Sequence, residues 1–227
     1  MTPVDISNYI IATPLPVSET NPVALELMGS EALVLCPWVV SQLPDGSVQF
    51  TAPTVGASSK STHRTRTEWK EPEYWALDSA AKHWSRQTMT VTKVNSAKKV
   101  VIAQIHVKGA TTPPLKVFWN KGKITMGFRE SFDTPDILTS LLHENVPLGV
   151  PFKISIGVTA SGSVSVNVLC QGIPSLKVPA KLDDSWNDQV LQFHGGVYNQ
   201  IDYSPTTPEG DGSICIISEL STTHGEA

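Results

Sequence analysis

Three short runs of the sequence carry side chains that bind anions or move protons, spaced two residues apart. These side chains are Arg64, Arg66, Glu68 and Lys70 in the first run, Gln104, His106 and Lys108 in the second, and His194, Tyr198 and Gln200 in the third. Because successive side chains of a β-strand point to opposite faces, residues two apart share a face. A surface that combines Arg, Gln, His and Tyr has the groups needed to hold a carboxylate and transfer a proton.

Each run also has an ordinary structural explanation when it is considered alone. Arg64, Arg66 and Lys70 could form a ladder of ion pairs with Glu68, in which each pair contributes only ~0.2–1 kcal/mol. A single His on a strand is more often structural or solvated, and a Tyr is more often part of the packing. The coincidence of three such runs favours a functional groove, and no single run does.

Positive charge is concentrated in one part of the chain, although the formal net charge is −4. Residues 60–129, which include Lys116, contain 14 Lys and Arg residues against four acidic residues, and residues 79–129 contain no acidic residue. This separation indicates a positive surface for an anionic partner, with solvated strand faces as an equally weighted alternative. Nucleic acid is not expected as that partner, because the pI is about 5.8 and no nucleic-acid-binding motif is visible.

The elements that must position these side chains are β-strands. Apolar and polar residues alternate in short runs bounded by Gly, Pro, Asn and Asp. Strands are predicted at residues 47–51, 63–70, 87–94, 100–108, 115–119, 123–130, 152–159, 163–169, 190–200 and 213–220. A short helix is predicted at residues 135–142, with Thr134 as its N-cap. The expected fold is all-β, a two-sheet antiparallel β-sandwich of jelly-roll type with one or two short helices.

Several other features of the sequence limit the class of protein that it can encode. One domain over residues 1–227 is expected, because no linker or internal repeat is visible. The apolar stretches are shorter than the ~20 residues of a membrane span, so no span is expected. Cys36, Cys170 and Cys215 are too scattered for a disulfide framework or a zinc site, and we expect buried free thiols. Residues 1–11 lack the pattern of a signal peptide, which leaves the compartment open.

The three runs resemble the three signature regions of polysaccharide lyase family seven, the jelly-roll alginate lyases. The family pattern is Arg-Ser/Thr-Glu-Leu-Arg, then Gln-Ile/Val-His, then Tyr-Phe-Lys-Ala-Gly-x-Tyr-x-Gln. The corresponding residues are 66–70 (RTEWK), 104–106 (QIH) and 192–200 (QFHGGVYNQ). Lys70 replaces the second Arg of the first region, and His194 replaces the Lys of the third. Gln192 replaces the leading Tyr of the third region.

The resemblance implies a lyase that cleaves the 4-O-glycosidic bond of guluronate-containing alginate by β-elimination, without a metal or an organic cofactor. It implies that Arg66, Gln104 and His106 surround the sugar carboxylate and that Tyr198 donates a proton to the leaving O4. His106 is then the base for guluronate, and Tyr198 is the base for mannuronate. The substrate-binding residues that we expect around them are Arg64, Glu68, Lys70, Lys108, Lys116, His194 and Gln200.

Two alternatives remain open at this point. The changed residues Lys70 and His194 are compatible with another polyuronate, such as glucuronan. A non-catalytic carbohydrate-binding jelly roll would share the fold, although a binding surface needs no proton donor such as Tyr198. In each case the expected partner is an anionic polysaccharide, with no nucleic acid and no membrane, and the protein is expected to be a monomer. Members of the family are usually secreted or periplasmic.

Overall fold

The computed structural model describes residues 2–225, which form two antiparallel β-sheets packed face to face. The strands are β1 (Ile10–Ser18), β2 (Asn21–Met28), β3 (Val40–Gln42), β4 (Val48–Pro53), β5 (Arg66–Lys70), β6 (Trp75–Ala76), β7 (Lys82–Lys93), β8 (Lys99–Val107), β9 (Leu115–Asn120), β10 (Lys123–Phe128), β11 (Leu138–His143), β12 (Phe152–Thr159), β13 (Ser163–Cys170), β14 (Ile173–Pro174), β15 (Ala180–Lys181), β16 (Val190–Asn199) and β17 (Gly212–Gly225). Helix α1 is Gly29–Leu35, and two 3₁₀ helices span Leu77–Ser79 and Asp184–Trp186.

Strands that are distant in the sequence are neighbours in both sheets. The first sheet has nine strands in the order β11-β10-β9-β8-β16-β5-β1-β2, with β6 paired to β16. The second sheet has eight strands in the order β14-β13-β12-β7-β17-β4-β3, with β15 paired to β13. The expected two-sheet antiparallel sandwich of jelly-roll type is confirmed.

The core lies between the sheets, and burial alternates along the outer strands but is nearly continuous along β8 and β16. In β13, which runs from Ser163 to Cys170, every second side chain is buried and those between are exposed. Phe50, Trp69 and Phe193 are fully buried within the core. Burying one such large apolar side chain contributes ~1.5–3 kcal/mol, so this layer holds the two sheets together.

The helix predicted at residues 135–142 is wrong, because this region contains strand β11. Leu138–His143 pairs with β10, and Thr139 lies opposite Gly127. The apolar spacing of this segment fits a helix, but pairing with a neighbouring strand satisfies its backbone and buries Leu142. The α-helix of the structure lies instead at Gly29–Leu35.

Strands β1 and β2 were not expected from the sequence, because Pro14, Pro16 and Pro22 interrupt the alternation. Strand β1 pairs with β5 only from Ile10 to Ala12, and its register with β2 shifts between Ala12 and Pro16. Proline is tolerated where a strand end leaves its ladder or lies at a sheet edge. These two strands extend the first sheet beyond β5.

The structure also locates the three cysteines and the basic stretch of the sequence. Cys36, Cys170 and Cys215 are buried and free, as predicted. No helix among the described residues has the length and apolar character needed to cross a bilayer. The basic stretch of the sequence does not form a single patch, because β7 lies in the second sheet while β8, β9 and β10 lie in the first.

Candidate active site

The three motif strands are neighbours in the first sheet, where β5 and β8 flank β16. Tyr198 lies opposite Arg66, and His194 lies opposite Lys70 on β5. On the other side of β16, His194 lies opposite Gln104. Paired residues of neighbouring antiparallel strands share a face. All three motifs therefore contribute side chains to one face of one sheet.

Two glycines of β16 allow this close arrangement. A Cβ on Gly195 would lie 2.7 Å from the Trp69 ring, so the bare backbone makes room for that buried indole. Gly196 has a φ of +124°, which L side chains rarely adopt, and a Cβ there would lie 2.5 Å from the Thr67 carbonyl oxygen. Both glycines therefore permit the close approach of β16 to β5.

A buried carboxylate, Glu68, joins two of the motif side chains. Its Oε2 accepts a hydrogen bond from Nη1 of Arg66 at 3.2 Å, and its Oε1 accepts one from Nε2 of Gln104 at 2.8 Å. Burial raises the pKa of Glu68, an effect that the Arg66 charge and the Gln104 hydrogen bond oppose. Glu68 was predicted to bind substrate, but it has no exposed surface and instead aims Arg66 and Gln104.

Tyr198 lies between two cations. The guanidinium carbon of Arg66 is 3.8 Å from the centre of the Tyr198 ring, and Nζ of Lys116 is 5.5 Å from it. The Tyr198 hydroxyl donates a hydrogen bond of 3.4 Å to Oγ1 of Thr62. Nε of Arg66 is buried and has no hydrogen-bond partner. The phenol therefore lies where negative charge is electrostatically stabilised.

His106 and His194 form a stacked pair beside this group. Their ring centroids are 5.0 Å apart and their planes differ by 8°. Burial, with the nearby Lys70, Arg66 and Lys116 charges, lowers the pKa of His106 to about 4. Burial and Lys70 hold the pKa of His194 well below its usual range. Both rings are therefore neutral at neutral pH.

The tautomer of His194 follows from its hydrogen bonds. The Gln192 amide nitrogen donates to the main-chain oxygen of Glu71 at 2.6 Å, which leaves the Gln192 Oε1 as an acceptor. His194 Nε2 lies 2.8 Å from that oxygen and must therefore carry the proton. Nδ1 of His194 and Nδ1 of His106 are both buried without a partner.

Other predicted residues lie at the margins of this cluster. Lys70 forms an ion pair with Glu26 of β2. Arg64 Nε lies 2.9 Å from a carboxylate oxygen of Asp202, and its Nη1 donates to Oε1 of Gln200 at 3.3 Å. The roles predicted for these side chains in substrate binding stay predictions.

Lys108 lies just beyond the end of β8 and is exposed, with its Nζ 5.4 Å from the centre of the Tyr74 ring. Glu26 contacts Lys70 and Thr62 contacts Tyr198, and neither residue is predicted from the sequence. No local pattern marks Glu26, since its strand was not predicted. Thr62 precedes the first motif by four residues. The polar residues around it were the sequence signal that could have indicated a place in the site.

The described residues contain no group of three or more His, Cys, Asp or Glu side chains placed to hold a metal ion. A family model described as Alginate lyase matches residues 4–224. The chain belongs to the alginate lyase family. It is therefore a polysaccharide lyase that acts on alginate, and the expected enzyme class is confirmed.

Solved structures of alginate lyases share the fold of this family member along nearly the whole chain. An alginate lyase from Pseudomonas aeruginosa is 25% identical, with a TM-score of 0.82, covering 97% of this chain and 99% of that one. One from Klebsiella pneumoniae is 20% identical, with a TM-score of 0.80 and coverage of 97% and 96%. Alginate lyase A1-II', a member of polysaccharide lyase family-7, is 22% identical, with a TM-score of 0.79 and coverage of 99% and 97%. None of the curated proteins compared with the chain matches it.

Proposed function

We propose that this alginate lyase family member cleaves the 4-O-glycosidic bond of guluronate-containing alginate by β-elimination, and that Arg66, Gln104, His106 and Tyr198 are its catalytic residues. The observation that supports this assignment is the convergence of these four side chains, from three strands, on one face of the first sheet. This face combines cations that can bind a carboxylate, a neutral imidazole that can accept a proton and a phenol that can donate one.

Neutralisation of the sugar carboxylate is the first requirement of the reaction. Removing H5 places a second negative charge beside a carboxylate that is already ionised, so donors must be in place before the proton leaves. Arg66 and Gln104 are held by Glu68 at 3.2 Å and 2.8 Å and keep further N–H groups for a ligand. Donors that are preorganised toward developing charge each contribute ~10²–10³ in rate.

His106 is the base in this proposal. A base needs an unprotonated nitrogen, and a pKa of about 4 leaves the imidazole neutral at neutral pH. Its buried Nδ1 has no partner within the protein, and its ring is held by stacking on His194. The ring is thus already unprotonated and oriented when the sugar arrives.

Tyr198 is the acid. As His106 takes H5, the C5–H electron pair forms the C4–C5 double bond and the C4–O4 bond breaks. The departing O4 takes the phenolic proton, and the adjacent Arg66 and Lys116 stabilise the phenolate that remains. A positioned acid or base contributes ~10²–10⁴ in rate. One product then carries an unsaturated sugar at its new non-reducing end.

Two observations bear on the substrate. Alginate lyase A1-II', which is 22% identical, has been solved in complex with a product, GGG, and with a substrate, GGMG. This supports an alginate chain as the occupant of the face. Lys70 and His194, which differ from the family pattern, lie opposite each other across β5 and β16, and they are the side chains that would distinguish glucuronan from alginate.

Ultraviolet absorbance of the unsaturated uronate tests the reaction and the polymer together. Purified protein is offered polyguluronate, polymannuronate and glucuronan in separate reactions, with the Tyr198→Phe variant as the inactive control. We expect the fastest rise in absorbance with polyguluronate and none with the variant. A rise confined to glucuronan would overturn the substrate assignment, and no rise with any of the polymers would overturn the elimination.

A further inference from the structure

A second group of cations lies on the first sheet, on β8 and β9 and at the end of β10. Arg129, at the end of β10, is only 5% exposed. No carboxylate among residues 2–225 forms an ion pair with it. Its Nη1 donates to the main-chain oxygen of Thr134, and its Nε is buried without a partner. Buried arginines are almost always paired with an acid, so this one is costly to the fold.

Arg129 lines a cavity of about 450 Å³ that borders the candidate active site. Lys99, Lys116 and Phe118 also line it, and no acidic side chain does. Lys116 belongs to both places, since it lies opposite Gln104 and near the Tyr198 ring. The cavity is therefore next to the catalytic cluster and positively charged.

One cation of the cavity is held by an aromatic ring, and another lies among like charges. Nζ of Lys99 lies 4.4 Å above the centre of the Phe118 ring, a contact that fixes an otherwise flexible ammonium group. Burial lowers the pKa of Lys116, and the charges of Arg66, Arg64 and Arg129 act in the same direction. Three mutually repelling cations around one cavity are stabilised when an anion enters it.

We propose that this cavity is a uronate subsite, in which Arg129 and Lys99 contact carboxylates of the sugars that neighbour the reacting one. The inference rests on the proposed function and adds specificity-determining residues to it. Phe118 lies on β9, two strands from Tyr198 on β16, and neighbouring strands are roughly 4.8 Å apart. A polymer that crosses the strands from Tyr198 therefore enters the cavity. A polysaccharide long enough to reach the cavity would contact these residues, and a shorter one would not.

Arg129→Met separates ligand binding from a structural role, because it replaces the guanidinium with an apolar side chain of similar length. We expect kcat/KM on long polyguluronate to fall by about 10- to 100-fold, mainly through KM, because a charge-assisted hydrogen bond is lost. The thermal midpoint should stay level or rise, since an unpaired buried charge is removed. The matched control is Arg86→Met, which removes an exposed arginine on the second sheet and should change kcat/KM by less than twofold.

Lys99→Gln keeps the proposal testable if Arg129→Met fails to fold, because Lys99 is partly exposed on β8. Both variants are also made with Tyr198→Phe, and the Kd for an unsaturated guluronate oligosaccharide is measured by calorimetry. Weaker binding in both, with a reduced salt dependence, supports the subsite. Wild-type Kd and KM in both variants would overturn it. This binding measurement needs no turnover. Its result can therefore contradict the subsite without contradicting the elimination, and the activity assay can contradict the elimination without contradicting the subsite.

Discussion

Two pairs of histidines in this protein have touching rings but opposite surroundings. At the edge of the core, where His83 is buried and His224 is partly exposed, their Nδ1 atoms lie 2.8 Å apart. The remaining nitrogens lie 3.1 Å from the Leu77 oxygen and 2.9 Å from Oε2 of Glu71. Every ring nitrogen of that pair has a partner. In the candidate active site, the pair that stacks on β8 and β16 leaves two buried nitrogens without one. Buried polar groups are nearly always satisfied, so the unsatisfied pair marks the place prepared for a ligand.

The hydrogen bonds of the core pair stabilise the strand beneath the site, so the site residues need not all be paired with one another. A main-chain oxygen only accepts, so His83 donates to Leu77 from Nε2 and accepts at Nδ1. His224 then donates from Nδ1 to His83, and its Nε2 pairs with Oε2 of Glu71. Oε1 of Glu71 also accepts from the Trp75 indole at 2.5 Å and from the Phe193 amide at 2.6 Å. This satisfied network fixes β16 to the core directly below the catalytic face.

Replacing Tyr198 with Phe should have the largest effect on the site. The hydroxyl makes one hydrogen bond, of 3.4 Å, so its loss should leave the thermal midpoint unchanged while activity falls by at least ~10²–10⁴-fold. Initial rates on polyguluronate and a thermal melt measure the two effects. Tyr203→Phe is the matched control, because that ring is 55% exposed. Near-normal turnover of the variant would remove Tyr198 from the mechanism.

Replacing Glu71 with Ala should have the largest effect on the core network. Removing the buried carboxylate leaves the Trp75 indole and the Phe193 amide without their acceptor, at ~1–3 kcal/mol for each unsatisfied donor, which denaturant unfolding would measure as a loss of free energy of unfolding. The protein that stays folded should keep much of its kcat. Gln192 binds the main-chain oxygen of Glu71, which the substitution does not remove. Glu73→Ala, on an exposed neighbour, should change stability little. An equally stable Glu71 variant would show that the network is not structural.

Replacing His106 or Arg66 with Ala should slow the reaction by at least ~10²-fold. Arg66→Ala should also lower stability, because it leaves the buried Glu68 carboxylate without its cation. His63→Ala is the control, because His63 is exposed before β5. Steady-state kinetics distinguish the possible roles. A change confined to KM would make the two residues binding groups rather than catalytic ones.

Acid should destabilise the protein through its buried neutral histidines. The pKa of His106 is lowered from 6.5 to about 4 in the folded state, chiefly by burial, so the unfolded chain takes up the proton first. The stabilising contribution is therefore full above pH 6.5 and is lost as pH falls toward 4. Between pH 7 and pH 5 it should decrease by ~2 kcal/mol. His106→Gln should flatten this dependence by that amount, and identical pH profiles would contradict the assignment.

The three motif strands were predictable because their chemistry is local. Alternation within residues 66–70 assigns Arg66, Glu68 and Lys70 to one face, and the same rule applies along β8 and β16. The family resemblance required only short runs in the right order. The fold class followed from the recurrence of such runs, since two faces of different polarity require two packed sheets.

Interactions between distant segments were not predictable in the same way. The spacing of residues 135–142 fits a helix, and only the presence of β10 beside it makes this segment a strand. On β16 the register with β8 shifts between Gly195 and Tyr198, which places Tyr198 opposite Val101. Such an irregularity depends on two neighbouring strands and leaves no mark in the alternation.

The amino-acid order alone sets which side chains share a face of each strand, because the period of two is a property of the backbone. Which strands become neighbours depends on long-range packing, and so does the partner of every buried charge. Glu68 meets Gln104 across 36 residues, and Glu71 meets His224 across 153. Arg129 meets no carboxylate at all within residues 2–225. Burial makes such contacts strong or costly, and burial exists only once the sheets have packed.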